Sequence, residues 1–99
     1  PGATVAVPAL LAELTSPDAN RRWRAARALG RIGPGADVAV PSLAQSLSDP
    51  NEGVRRHAAR ALGRLGPKAR KAAAELQRAT GDADEGVRRE AEKALKALR

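Results

Sequence analysis

Residues 34–66 read PGADVAVPSLAQSLSDPNEGVRRHAARALGRLG, and close relatives of this 33-residue stretch lie on both sides of it. The preceding copy, residues 1–33, reads PGATVAVPALLAELTSPDANRRWRAARALGRIG, and residues 67–99 read PKARKAAAELQRATGDADEGVRREAEKALKALR. A period of this length is typical of stacked arrays, in which each unit buries its apolar face against its neighbours. We therefore expect a single array of three repeats with boundaries at 1–33, 34–66 and 67–99.

The first half of the middle copy has the pattern of a helix, which we call helix A. Asp37 can cap a helix over residues 38–47, and Pro41 then lies in the first turn, where its missing N–H is tolerated. Ser48 interrupts the apolar pattern after this segment. The sequence thus predicts one short helix before a turn.

The second half of the middle copy predicts another helix, helix B, from Pro50 to Leu65. Asp49 is the candidate N-cap, and Glu52 lies where it can complete a capping box. Gly66 is a candidate for the left-handed residue that ends a helix, and a proline follows it. No stretch alternates with period two, so we expect an all-α fold of two-helix repeats.

The same signals recur in the other copies, where Ser16 and Asp82 precede helix B. One face of helix B in the middle copy is apolar with helical spacing. Its residues are Val54, Ala58, Ala61, Leu62 and Leu65. In the first copy Arg21 replaces the valine, and we expect Arg21 to lie at an exposed end of the array.

The composition excludes several classes of protein. Cysteine is absent, which excludes disulfides and thiolate metal sites, and Trp23 is the only Phe, Tyr or Trp residue. No apolar run approaches the roughly 20 residues that span a bilayer, and no signal peptide is visible, so we expect a cytoplasmic protein without membrane contact. The net charge of +7 favours acidic partners.

The sequence carries no recognisable catalytic set. His57 is the only histidine, and neither a cysteine nor a Ser/His/Asp arrangement accompanies it. GRIGPG at 30–35 and GRLGP at 63–67 follow helices, whereas a phosphate-binding loop follows a strand. The acidic residues within 82–85 suit a helix start better than a metal site. We therefore predict no enzymatic activity, no cofactor and no metal.

Residues 49–66, DPNEGVRRHAARALGRLG, resemble the second helix of a HEAT-type repeat, of the subclass found in phycobilisome lyases and many bacterial proteins. Residues 82–98 follow this pattern less completely, and residues 16–33 lack its valine. The chain is also similar to artificial HEAT-like arrays built from a repeat consensus. The resemblance covers the whole chain and implies a right-handed α-α solenoid that serves as a scaffold for binding other macromolecules.

The resemblance also implies a structural ion pair. An Asp at the turn between helices A and B commonly contacts an Arg six residues on, or the equivalent Arg of the adjacent repeat. In this chain that implies Asp49 with Arg55 and Asp82 with Arg88, whereas Ser16 occupies the Asp position of the first copy. We interpret these arginines as structural and not as ligand contacts.

The outward positions of helix B are mostly basic, and in solenoids of this type the B helices line the concave surface. We call these positions the B-helix face. They are Trp23, Arg27, Arg31, Arg56, Arg60, Arg64, Arg89 and Lys93. Trp and Arg are over-represented in binding hot spots, so Trp23 is a candidate anchor for a peptide, and an indole can also stack on a base.

These observations favour a non-enzymatic scaffold that binds an acidic protein or peptide through the B-helix face. One alternative is a basic groove that binds nucleic acid, for which a strong salt dependence would be diagnostic. The other is a structural or self-assembling repeat module with no ligand, in which the arginines form only a solvated face.

The two ends of the array differ. In the third copy Glu92 and Lys96 replace the alanine and glycine at Ala59 and Gly63, which gives the polar outer face of a C-terminal cap. Helix A of the first copy keeps an apolar N-terminal edge. Its residues are Val5, Val7, Leu10, Leu11 and Leu14. This edge predicts a fragment of a longer array, an engineered repeat module, or a homodimer through the N-terminal repeat.

Overall fold

The computed structural model describes the backbone of residues 2–99 and the side chains of residues 5–99. Within that range the chain is helical and contains no strand, which confirms the all-α prediction. The α-helices are α1 (Gly2–Glu13), α2 (Ala19–Ile32), α3 (Val40–Ser46), α4 (Glu52–Leu65), α5 (Ala73–Ala79) and α6 (Glu85–Ala97). Two 3-10 segments, Gly33–Ala39 and Gly66–Ala72, lead into α3 and α5.

The helices form two layers of a flat body, with principal extents of 35 × 31 × 16 Å. Helices α2, α4 and α6 pack side by side, and α4 lies between the other two. Helices α1, α3 and α5 cover them, each against the helix that follows it in the chain. The result is a short solenoid of three helical hairpins.

The core between the layers consists of leucine, valine and alanine. Every residue of the apolar face predicted for helix B of the middle copy is buried: Val54, Ala58, Ala61, Leu62 and Leu65. Complete burial of a leucine side chain stabilises a fold by about 1.5–3 kcal/mol. Arg21, the exception to this pattern in the first copy, is exposed at the end of the array as expected.

Two glycines set the distance between neighbouring B helices. A Cβ atom on Gly30 would lie 3.0 Å from the Ala61 Cα of α4, and one on Gly63 would lie 3.1 Å from the Ala94 Cα of α6. Real Cβ atoms rarely approach other atoms so closely, and the neighbouring atoms belong to backbone that cannot swing aside. Lys96 occupies the same register position in the last copy and is exposed.

The B helices begin two residues later than the sequence predicted. Asn51, not Asp49, caps α4, since its side chain accepts a hydrogen bond from the Val54 N–H at 3.1 Å. In the third repeat the cap is Asp84, whose carboxylate accepts from the Val87 N–H at 3.0 Å. In the first repeat the cap is Asp18.

The ends of the B helices agree with the prediction. Gly66 has φ of 64° at the end of α4, and Gly33 has φ of 77° at the end of α2. L-residues with a side chain rarely adopt this backbone conformation, so glycine is required at both stops.

The prediction for helix A of the middle copy was wrong in its bounds. The α-helix covers only Val40–Ser46, and the residues before it form the 3-10 segment, in which Ala36 has non-helical angles of φ −99° and ψ 24°. Asp37 makes no capping hydrogen bond. The third repeat has the same layout with Ala74 in place of Pro41, so the proline does not cause the bend.

Candidate functional site: the B-helix face

Two buried ion pairs join neighbouring repeats, and we call them the Arg–Asp ladder. Arg22 donates from Nε and Nη2 to the two carboxylate oxygens of Asp49, at 2.8 and 3.2 Å. Arg55 holds Asp82 in the same bidentate way, at 2.9 and 3.2 Å. The four side chains are only 10–17% exposed. Such paired, charge-assisted hydrogen bonds fix geometry as well as contribute energy.

The ladder corrects the pairing within repeats that the resemblance had implied first. Arg55 meets its own repeat through Nη1, which donates to the Asp49 carbonyl at 2.8 Å, and Arg88 donates to the Asp82 carbonyl at 2.7 Å. The carboxylates themselves are held by the arginine of the preceding repeat. Arg22 and Arg55 are therefore turned into the interface between repeats, away from a ligand.

The ladder also changes the acidity of Asp82. Burial opposes ionisation of Asp82, but the hydrogen bonds from the Asp84 N–H and from Arg55, together with the charges of Arg55 and Arg88, outweigh it. The pKa of Asp82 is therefore lower than its usual 3.8. The interactions of the folded protein thus stabilise the ionised form of the Asp82 carboxylate.

The basic side chains of the B-helix face lie along α2, α4 and α6 and differ in exposure. Arg27, Arg31, Arg64, Arg89 and Lys93 are exposed, while Trp23, Arg56 and Arg60 are half-buried. Arg89 pairs with Glu85 one turn earlier at 3.0 Å, an exposed contact of little energy. Arg56 extends towards α6. Its Cδ atom lies 3.1 Å from the position that a Cβ atom on Gly86 of α6 would occupy.

Trp23 does not stand alone on this face. Its ring stacks on the His57 imidazole across the α2–α4 contact, with the ring centroids 5.1 Å apart and the planes 21° from parallel. The indole N–H donates to the Asn20 side chain at 3.1 Å, and the Arg24 guanidinium carbon lies 5.5 Å from the ring centroid. Trp23 is thus rigidly placed, which suits an anchor.

The contact between α4 and α6 has an ion pair where the α2–α4 contact has none. Arg60 donates to Glu90 at 2.9 Å, and burial of Glu90 is outweighed by this hydrogen bond and by the charges of Arg60, Lys93 and Arg56, so its pKa is below 4.5. One repeat earlier, the equivalent residues are Arg27 and His57. Neutral histidine offers Arg27 no negative charge.

His57 lies on the flank of α4, half-buried at the α2–α4 contact. Burial and the charges of Arg56, Arg60 and Arg27 lower its pKa below 6.5, with Glu90 opposing them. The Nδ1 atom is buried and has no hydrogen-bond partner. The sequence alone did not predict the stacking of Trp23 on His57, because the two residues do not occupy equivalent positions in their repeats.

A groove runs along each contact between B helices. The α2–α4 groove has a volume of about 160 Å³ and is lined by Ala26, Arg27, Gly30, Arg31, His57, Arg60, Ala61 and Arg64. The α4–α6 groove, of about 220 Å³, is lined by Ala59, Arg60, Gly63, Arg64, Glu90, Lys93, Ala94 and Ala97. Small residues form the floor of both grooves, and basic side chains form their walls.

A third and larger groove, which the sequence did not suggest, lies in the other layer between α3 and α5. Its volume is about 980 Å³, and Val38, Pro41, Lys68 and Glu75 are among its lining residues. Val38 is 64% exposed, and one oxygen of Glu75 is buried without a hydrogen-bond partner. Its walls carry both signs of charge, so it favours no single class of ligand.

The predicted N-terminal edge is smaller than its sequence suggested. Val7 and Leu14 are buried in the core, at 3% and 6% exposure, and Leu10 and Leu11 pack partly against it. Val5 is 76% exposed. Val5, Leu10 and Leu11 are therefore the members of this edge that can contact another molecule, whereas Val7 and Leu14 stabilise the repeat itself.

Residues 7–96 match the family of HEAT repeats. The chain belongs to this family. HEAT repeats generally mediate protein interactions and are generally non-catalytic. Repeats of this family stack on one another. In this chain they do so through bidentate Arg–Asp pairs between successive repeats and through glycine contacts between successive B helices.

Two solved structures resemble this HEAT-repeat chain. An engineered protein has a TM-score of 0.79 and 32% sequence identity over 93% of this chain and 44% of its own. The complex of CpcE and CpcF of phycocyanin lyase from Nostoc sp. PCC7120 has a TM-score of 0.81 and 29% identity over 95% of this chain and 61% of its own. The chain thus spans less than two thirds of either relative.

No curated protein matches the chain. Among the helices that the structure describes, none is both long and apolar enough to cross a membrane.

Proposed function

We propose that this HEAT-repeat chain is a non-enzymatic scaffold that binds an acidic protein or peptide segment through the B-helix face. The observation that carries the proposal is a set of cations on one side of the molecule. Arg27, Arg31, Arg64 and Lys93 are exposed there, and no carboxylate of residues 5–99 lies within ion-pair distance of them.

The arrangement suits an extended acidic segment that crosses the B helices. The free cations occupy neighbouring helices, so a segment laid across α2, α4 and α6 meets a new cation at each step. Trp23 supplies a rigid aromatic surface at one end of this path. The net charge of +7 steers acidic partners towards the molecule.

A charge-reversal pair tests which face binds. We expect Arg27→Glu with Arg64→Glu to weaken binding of a fluorescent Asp/Glu-rich peptide at least about tenfold, because opposite-sign complementarity becomes repulsion. The matched control is Lys71→Glu with Arg78→Glu, which removes the same charge from the exposed opposite layer and should change affinity less than about threefold. Fluorescence anisotropy at fixed ionic strength measures both.

Equal weakening by the two double variants would contradict a specific B-helix face. A single-stranded oligonucleotide measured in parallel distinguishes the main alternative. Tighter binding of the oligonucleotide than of the peptide, with a steep dependence on salt, would favour nucleic acid as the partner. Absence of binding by either probe would favour the module without a ligand.

A further inference from the structure

The two grooves of the B-helix face are copies of one site, built from equivalent positions one repeat apart. Arg27 and Arg31 line the first groove where Arg60 and Arg64 line the second. Gly30 and Gly63 form equivalent parts of the floor. The α4–α6 groove can therefore be compared with the α2–α4 groove position by position, and the differences show what is particular to each groove.

Two of the three differences make the α2–α4 groove more positive, and the third leaves its charge unchanged. His57 stands where the second groove has Glu90, and Arg64 stands where it has Ala97. The third is Arg60, a forked donor, in place of Lys93. Four arginines and no carboxylate line the first groove. One of them, Arg60, is engaged by Glu90, which also partly neutralises the second groove.

We propose that the α2–α4 groove binds a tetrahedral dianion, which the partner presents as a phosphorylated side chain. The inference rests on the proposed function, since it specifies which anion of the protein partner occupies this part of the B-helix face. It predicts a preference for phosphorylated over merely acidic segments.

Size and donor geometry favour a phosphate group over other anions. The volume of about 160 Å³ accommodates a compact tetrahedral group. The floor at Gly30 and Ala61 has no side chain beyond Cβ, so the anion can sit low between the guanidinium groups. Forked guanidinium donors match phosphate oxygens bidentately, and a phosphate carries about two negative charges.

Anion binding in this groove is coupled to protonation of the His57 imidazole. The charged groups that act on its ring are Arg27 of α2, Arg56 and Arg60 of α4, and Glu90 of α6. Most of these are cations that disfavour the imidazolium, and a bound dianion offsets them. Occupation of the groove therefore raises the pKa of His57, and affinity increases as the pH falls towards and below 6.5.

The first experiment uses sulfate, which stays a dianion across this pH range. We expect a sulfate titration at constant ionic strength to shift the NMR signals of the Gly30 and Ala61 amides saturably and to raise the pKa of the His57 imidazole. His57→Glu recreates in the first groove the ion pair that Arg60 and Glu90 make in the second. It should weaken sulfate binding about tenfold while the helices stay intact.

Two further variants serve as controls for the sulfate titration. His57→Gln leaves the side chain at position 57 uncharged and keeps all four arginines, so it should retain binding within about threefold. Glu90→His removes the carboxylate from the second groove and should add sulfate-induced shifts at Gly63 and Ala94. Absence of saturable shifts at Gly30 in the unchanged protein, or equal binding by His57→Glu, would overturn the anion site.

The second experiment asks what presents the anion. A Gly/Ser-rich peptide with one phosphoserine should bind at least about tenfold more tightly than its Asp counterpart, and His57→Glu should abolish that preference. Equal binding of both peptides that is lost in the Arg27→Glu, Arg64→Glu variant would overturn this inference and leave the proposed function standing. Binding of neither peptide, with an oligonucleotide bound instead, would overturn both.

Discussion

At the scale of single residues, Gly30 and Gly63 decide how closely the B helices approach each other. Each lies against the backbone of the next B helix at a distance where a Cβ atom would be crowded. The α2–α4 and α4–α6 grooves exist because these positions carry no side chain. The same two glycines thus serve stability, through close packing, and the candidate site, through its floor.

Gly63→Leu should lower the free energy of unfolding by about 2 kcal/mol or more, because the new side chain must push α4 away from α6. Lys96→Leu is the matched control. It introduces the same side chain at the equivalent exposed position of the last repeat and should change stability by less than about 0.5 kcal/mol. Urea unfolding followed by circular dichroism measures both, and equal losses would contradict the close contact at Gly63.

At the scale of helices and turns, the Arg–Asp ladder connects each turn to the B helix of the preceding repeat. Asp49 and Asp82 are each held by a forked guanidinium, and each also accepts a hydrogen bond from a backbone N–H two residues on. The carboxylates therefore order the turn and join it to its neighbour at once. Nearly buried pairs of this kind lose more energy on disruption than surface pairs do.

Asp82→Asn should cost about 1–3 kcal/mol of stability, since it leaves the Arg55 charge without its counterion. Asp37→Asn removes a carboxylate 4.0 Å from Lys68, where both side chains are more than half exposed, and should cost less than about 0.5 kcal/mol. Chemical denaturation at neutral pH compares the two. Equal, small losses would show that the ladder does not contribute to stability.

Asp82 of the ladder, together with Glu90, makes stability depend on pH. The pKa values of Asp82 and Glu90 are lower in the folded protein than their ordinary 3.8 and 4.5, so their stabilisation is complete above those values. It is lost as the pH falls below about 4.5 and through the folded-state pKa values. Asp82→Asn should have a shallower acid limb in the same unfolding measurements.

The caps show why local sequence signals predicted the helices but not their first residues. Asp49 and Pro50 have the composition of a helix start, and nothing near them in the sequence shows that Arg22 claims the carboxylate from a distance of 27 residues. Asn51 then caps the helix instead. The glycine stops at Gly33 and Gly66 were predictable because a left-handed backbone is a local requirement.

The candidate site likewise combines features that the local sequence predicts with features that it does not. The basic outward residues follow from helical periodicity, which places Arg27 and Arg31 on one face from sequence alone. The stacking of Trp23 on His57 depends on the stagger between adjacent helices, and periodicity within one helix contains no information on it. The contrast between the grooves likewise depends on the contact between Arg60 and Glu90, which lie on neighbouring helices.

At the scale of the whole molecule, the two ends of the array are unfit to stack on each other. The first repeat has Ser16 where the ladder needs an Asp, and the last repeat has Glu92 and Lys96 where stacking needs Ala and Gly. Arg88, the ladder arginine of the last repeat, meets only carbonyl groups of its own turn within residues 5–99. These features disfavour head-to-tail stacking of two copies of this chain.

Restoring the internal pattern at both ends should convert the protein into a head-to-tail assembly. We expect Ser16→Asp combined with Glu92→Ala and Lys96→Gly to form concentration-dependent oligomers, because Arg88 then finds a carboxylate and the glycine contact can form. Sedimentation velocity over a range of concentrations measures this. A variant with Ser16→Asp alone is the control and should not form such oligomers, since Lys96 still blocks the contact.

The Arg–Asp ladder also determines where the molecule opens. The middle repeat participates in both pairs, through Asp49 and Arg55, and in both glycine contacts, whereas each outer repeat participates in one of each. Local unfolding of an outer hairpin therefore breaks half as many of these contacts as unfolding of the middle one. We therefore expect the amide hydrogens of α4 to exchange with solvent more slowly than those of the two outer hairpins.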